Sequence, residues 1–203
     1  MNDLEQTWTR IHHWLELHCP IVLASLGPPA TEDQFREAEV AMGISLPESV
    51  KACYRFHDGQ QIPSNPVSYF PEWEFIPEFL NGEEWYSLSR MVRDWQSMQG
   101  FEEGIFGDVP DQQRGPVRQD VWHPKWLPLT SNGSGYLHCI DLAPRFTGRI
   151  GQIISWCHDS PERRQVARNL PEWLKGFALQ LEQGIYTTVP GKHGPVLIRV
   201  RDV

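Results

Sequence analysis

The sequence predicts a folded domain that mixes short helices with antiparallel strands, and three observations carry that prediction. Apolar residues recur at helical spacing through roughly the first 60 positions, alternate at period two after the Asn132-Gly133-Ser134-Gly135 turn, and return to helical spacing around Trp173. At 203 residues the chain is long enough to bury its own core and favours one domain with an extension over two complete ones. Its 40% hydrophobic and 22% charged content, with 9 Trp and 9 Phe, excludes a disordered tail, a collagen-like repeat and a coiled coil.

Leu4, Trp8, Ile11 and Leu15 place a helix over residues 3 to 18, stopped by Pro20. Thr31 and Gln34 have the spacing of a capping box, so a second helix starts there, turns Phe35, Ala38 and Met42 inward and ends at Gly43. Pro47 suits a first helical turn, and Val50, Cys53, Tyr54 and His57 follow to a turn at Asp58-Gly59. Residues 60 to 84 read as short strands in long loops, Leu88 to Met98 as a helix stopped by Gly100, and 101 to 120 as an exposed loop. Trp126 to Thr130 and Tyr136 to Leu142 form a hairpin whose Tyr136, His138, Ile140 and Leu142 share a face. Residues 151 to 156 add a strand, Asn169 with Glu172 caps a last helix through Leu181, and Val196, Ile198 and Val200 suggest an edge strand in the tail.

The net charge of −8 argues against a dedicated binder of DNA or anionic membrane, which needs phosphate attraction. No apolar run reaches the ~20 residues of a membrane span, and Met1-Asn2-Asp3-Leu4-Glu5 lacks the basic start of a signal peptide, so the expected location is cytoplasmic. Cys19, Cys53, Cys139 and Cys157 stand singly and are expected to be reduced and buried.

The charge is unevenly spread. Between residues 56 and 113 stand eleven acids (Asp58, Glu72, Glu74, Glu78, Glu83, Glu84, Asp94, Glu102, Glu103, Asp108, Asp111) against Arg90 and Arg93 alone. Tyr69, Phe70, Trp73, Phe75, Phe79, Trp85 and Tyr86 interleave with them. Rings set among one sign of charge have the composition of a protein-binding surface, rings supplying desolvated area and charge steering an opposite partner. The expected contacts are Glu72, Trp73, Glu74, Glu78, Glu83, Glu84, Trp85, Glu102 and Glu103, and the expected partner is a basic protein rather than nucleic acid or membrane. The competing reading makes the rings core and the acids solvated.

Catalytic and metal chemistry finds little support. Cys157-His158-Asp159 holds the residue types of a nucleophilic triad, but neighbours on a strand point to opposite faces. His12, His13 and Glu16 lack the His-x-x-x-His spacing of a zinc helix, and no pair among Glu83-Glu84 and Glu102-Glu103 stands out as acid and base. Asn132-Gly133-Ser134-Gly135 lacks the Lys-Ser/Thr of a phosphate loop. Neither a metal nor a cofactor is expected, and a hydrolase with a carboxylate site stands as a third reading.

Taken in order, Thr31-Glu-Asp-Gln-Phe-Arg-Glu-Ala-Glu39, Gly43-Ile-Ser-Leu-Pro47, Tyr54-Arg-Phe-His-Asp-Gly59, Trp126-Leu-Pro128, Gly135 to Asp141, Gly148-Arg-Ile-Gly-Gln152 and Trp173-Leu174 resemble the SUKH superfamily. The branch they resemble is the Smi/Knr one, of fungal cell-wall-assembly regulators and bacterial relatives. The resemblance implies an α+β fold, a largely antiparallel sheet with helices packed against it, and no enzymatic activity. It spans about residues 5 to 186, so 1–186 is expected to form the domain and 187–203 an extension. Bacterial members commonly neutralise toxins, many of them nucleases, and fungal ones act as regulatory hubs. The leading expectation is an immunity protein that binds a basic toxin, with a regulatory scaffold as the alternative. Glu39, Gly43, Leu46, Pro47, Asp58, Gly59, Trp126, Pro128, Gly135, Asp141 and Gly151 match the family pattern, most of them as fold determinants, whereas Tyr136 departs from the Asp or Asn common there.

Overall fold

Asn2 and Glu5 exchange side-chain and backbone hydrogen bonds at 2.8 and 3.2 Å, and this capping box starts α1 (Asp3–His18). The structure is a computed structural model that describes residues 2–61, 77–100, 115–191 and 194–200. Pro20 ends α1 but also opens α2 (Pro20–Ser25), a six-residue helix absent from the sequence prediction. α3 (Glu32–Met42) carries the Thr31–Gln34 box and closes on Gly43 at φ 65°. Pro47 sits one position earlier than expected, as the cap of α4 (Glu48–Tyr54), and His57 lies beyond that helix.

Then follow β1 (Glu84–Trp85), α5 (Leu88–Met98), β2 (Trp126–Ser131), β3 (Tyr136–Asp141), β4 (Gln152–Cys157), β5 (Arg164–Ala167), α6 (Leu170–Glu182), β6 (Tyr186–Gly191) and β7 (Gly194–Arg199). Strands β1 to β5 form one antiparallel sheet in sequence order, with Trp126 opposite Asp141 and Tyr136 opposite Cys157. The tail corrects the expectation of an edge strand: among the described residues β6 and β7 pair with each other and not with the five-stranded sheet. Tyr186 and Leu197 nevertheless lie buried in the main core. The fold is α+β, as the motifs implied.

Alternation along the strands divides the core. Leu127, Leu129, Ile140 and Ile153 face the helices and pack with Trp8, Phe35, Tyr54, Trp85, Leu174 and Phe177. Trp126, Cys139, Ile154 and Trp156 face the other way and are covered by Val117 and Trp122. The stretch entering β2 is therefore not all exposed loop: Val117 is 1% exposed. Burying each such side chain contributes about 1.5–3 kcal/mol, which fixes the sheet from both faces.

α1 lies along α6. Trp8, Ile11 and Leu15 form its buried stripe, and on the outer side Arg10 grips Glu182 with two hydrogen bonds of 2.6 and 2.5 Å while Lys175 reaches Asp3 at 2.8 Å. All four cysteines are free and buried.

Candidate partner-binding surface

The family-pattern residues hold the elements together. Glu39 of α3 accepts the Leu46 backbone N–H at 2.7 Å and the Lys51 ammonium at 2.8 Å. Partial burial pushes its carboxyl up, but those two partners outweigh it and leave the carboxyl below its ordinary value. Leu46 is buried, and Pro47 packs against Gly151 from the β3–β4 connection. Asp58 accepts from Leu88 N–H at 2.7 Å and Gln34 Nε2 at 3.2 Å, and Gly59 at φ 61° passes against the Tyr86 backbone. Asp141 is fully buried and receives Trp126 Nε1 at 3.1 Å, Ala143 N–H at 2.9 Å and Gln152 Nε2 at 2.8 Å. Burial raises its carboxyl pKa against the pull of these donors. Pro128 marks a register shift in β2, and Gly135 at φ 90° lies against the His158 ring. The side chains of Glu39, Asp58 and Asp141 are thus all engaged in joining elements.

Among the described residues, the expected partner contacts do not share one outward face. Trp85 is fully buried: it stacks on Trp8 at 5.5 Å between centroids, and its Nε1 donates to Tyr54 Oη at 3.2 Å. Glu83 is 7% exposed and turned toward His138 of β3. The physical reason is strand alternation, which sends Glu83 and Trp85 inward and leaves Glu84 on the opposite side. Glu78 and Glu84 are half-buried, and burial raises both carboxyls, with Glu83 adding to the effect on Glu78. Asp94 is held by Arg90 at 3.0 Å and Arg93 at 3.3 Å. Glu72, Trp73, Glu74, Glu102 and Glu103 lie outside the described residues.

One polar cluster escaped the sequence reading. The Glu83 carboxylate accepts from His138 Nδ1 at 2.8 Å and from the Thr130 hydroxyl, while Thr130 Oγ1 is 3.1 Å from the same Nδ1. Thr130 and His138 face each other across the β2–β3 hairpin, and polar residues paired on an apolar strand face were the available signal. His138 also lines a cavity of about 380 Å³ with Trp173, Gln180 and Arg199. A nucleophile–base–acid relay needs the hydroxyl and the carboxylate on different imidazole nitrogens. Here both meet Nδ1, so the cluster reads as an internal lock between β1, β2 and β3. His158 and Asp159 form a 2.8 Å pair at the surface beside buried Cys157. No group of three or more His, Cys, Asp or Glu able to hold a metal occurs among the described residues.

Residues 29–176 match the SMI1 / KNR4 family (SUKH-1). The chain belongs to this family. Its similarity extends to the Saccharomyces cerevisiae cell wall assembly regulator SMI1, at 29% identity over 202 residues, covering 87% of this chain and 40% of that protein. The Neurospora crassa glucan synthesis regulatory protein is 24% identical over 213 residues, 88% of this chain and 38% of the relative. The Schizosaccharomyces pombe cell wall biosynthesis/cell cycle regulator smi1 is 27% identical over 190 residues, 89% and 36% respectively. This SUKH-1 chain thus spans about 40% or less of the length of these relatives. No helix among its described residues is long and apolar enough to cross a membrane.

Proposed function

We propose that this SUKH-1 domain is a non-catalytic protein-binding module of the regulatory, cell-wall-regulator type, acting in the cytoplasm. The observation that carries the reading is its similarity, over nearly nine-tenths of its length, to proteins named as regulators of cell wall assembly or of cell wall biosynthesis and the cell cycle. The site chemistry agrees: the motif carboxylates Glu39, Asp58 and Asp141 are all engaged in structural hydrogen bonds. Immunity against a basic toxin rests on the acidity of the middle segment and on family resemblance. The regulators' names favour the other reading.

Co-purification from the native host, followed by size-exclusion chromatography and mass spectrometry, tests the proposal. The expected result is a regulatory or biosynthetic protein eluting with the chain at fixed stoichiometry. A cationic nuclease in that peak replaces the regulatory role with immunity, and a chain that elutes alone from every extract overturns the binding function. Trp73→Ala and Glu102→Ala/Glu103→Ala then show whether the acidic stretches contribute to the contact.

A further inference from the structure

The connection between β3 and β4 presents the most exposed ring among the described residues. Phe146 is 104% exposed and Ile150 is 71% exposed, four positions apart. Large apolar groups held in water on an ordered loop mark interaction sites when polar residues rim them. The loop is ordered by its own hydrogen bonds. Gly148 N–H donates to Arg145 O at 2.8 Å, Gly151 N–H to Asp141 O at 2.8 Å, and Gln152 N–H to Arg149 O at 3.0 Å. Its flank is tied to the segment before β2 by Arg145 N–H to Pro116 O at 3.0 Å, Arg118 Nε to Ala143 O at 2.9 Å and Leu142 N–H to Lys125 O at 2.9 Å.

These ties bring Arg118 and Lys125 beside the connection in which Arg145 and Arg149 flank Phe146 and Ile150 in sequence, and Lys125 lines the groove next to it. None of the four forms an ion pair with a carboxylate among the described residues, in a chain whose net charge is −8. Of the nearby acids, Asp141 is fully buried and hydrogen-bonded within the fold, and Asp120 forms no ion pair among the described residues. Beside the loop, Ile44, Leu46, Pro47, Leu142, Lys125 and Ile150 line a groove of about 460 Å³. The groove is where Gly43 to Pro47 and Gly148 to Gln152, far apart in sequence, meet through the Pro47–Gly151 contact.

We infer that this face docks an acidic, apolar-anchored segment of a partner protein: a Leu- or Phe-sized side chain enters the groove, and flanking Asp or Glu residues meet Lys125, Arg145 and Arg149. The chemistry decides for a peptide over a polyanion. Nucleic acid gains affinity by spreading many phosphates along a basic track. Four cations around an apolar groove, on a chain that repels polyanions at long range, make a compact site instead. This inference rests on the binding function proposed above and names its surface. It also reverses the partner charge expected from composition, because a summed charge hides a local patch of the opposite sign.

A random peptide library displayed on phage, panned on the full chain, tests it. The expected outcome is enrichment of peptides that combine Asp or Glu with large apolar residues. Their affinity should fall on the order of tenfold or more in Arg145→Glu/Arg149→Glu, and fall with added salt. Phe146→Ala should weaken binding without moving the thermal midpoint, since its ring touches solvent. Enrichment of basic or uncharged peptides, or affinity indifferent to the double substitution, overturns the assignment. So does tighter binding of a single-stranded oligonucleotide or phosphatidylserine vesicles at the same arginines. A co-purified partner retained by the double variant removes this surface while leaving the binding function standing. A wild-type chain that retains no partner removes the function itself.

Discussion

Asp58 Oδ1 accepts the backbone N–H of Leu88 at 2.7 Å, so the turn after α4 caps the first residue of α5 from 30 positions away. Its second oxygen accepts Gln34 Nε2 at 3.2 Å, and Gln34 is also half of the α3 capping box. One carboxylate thereby joins two helix N-termini. Asp58→Ala should cost about 1–3 kcal/mol, because Leu88 N–H and the Gln34 amide lose their acceptor in a part-buried place. Asp58→Asn, which keeps one oxygen, should cost less. Urea unfolding of both variants measures the difference, and equal losses would count against the capping role.

Gly59 and Gly43 both have positive φ, at 61° and 65°, but they differ in surroundings. A Cβ on Gly59 would stand 2.3 Å from the Tyr86 carbonyl carbon, whereas one on Gly43 would meet nothing within 4 Å. Gly43→Ala should therefore cost only the left-handed backbone penalty of roughly 1–2 kcal/mol. Gly59→Ala should prevent α4 and β1 from closing and leave little folded protein. Comparing soluble yield and thermal midpoint of the two variants tests the contrast.

His12 and His57 meet at 2.8 Å through their Nε2 atoms, against the Trp8 ring, while His57 Nδ1 donates to Gly27 O at 2.7 Å. That chain of bonds leaves His57 Nε2 as the acceptor of His12 Nε2–H, which requires the His57 ring to be neutral. Burial lowers both pKa values below the ordinary 6.5, and for His12 the neighbouring His57 charge lowers it further. The unfolded chain thus binds these protons first, so the stability the pair contributes is present above 6.5 and falls as pH drops below it. The urea midpoint should decline between about pH 7 and pH 5, and His12→Gln should flatten that decline. A midpoint that is constant across this range in the wild type would refute the arrangement.

Glu83 and Glu84 are adjacent yet should behave oppositely. Glu83→Ala leaves His138 Nδ1 and Thr130 without their shared acceptor and should cost about 1–3 kcal/mol, the range for a buried donor left unsatisfied. Glu84→Ala should stay within about 0.5–1 kcal/mol of wild type. Trp85→Ala, in the core, should cost about 3–5 kcal/mol. Thermal unfolding separates these from binding effects, and a Trp85 variant of native stability would return that ring to the surface.

What could be read from the chain was what is local. The caps at Thr31, Gly43 and Asn169 depend on neighbours three or four positions away; the first two occur as read, and at Asn169 the side chain accepts the Glu172 N–H, one half of the expected box. The hairpin of β2 and β3 likewise followed from alternation and a glycine turn. Residues 20–25 made a helix too short for its period to register, and Arg164 to Ala167 form β5 with polar, exposed members that alternate weakly. The tail hairpin was hidden by Pro190 and Pro195, which face each other across β6 and β7. Trp85 was misplaced because composition reports that a ring stands beside glutamates, not which side of the strand it takes. The Glu83–His138 contact spans 55 positions, and only the paired register of three strands creates it.

The clasp between α1 and α6 bears on how this domain is to be cut. A fragment trimmed to residues 29–176 would discard Trp8, Ile11 and Leu15 and sever α6 before Phe177 and Leu181. The helix-facing side of the sheet would then stand open to water, and such a product is expected to aggregate. Truncations meant to isolate the domain should therefore keep α1 and the whole of α6.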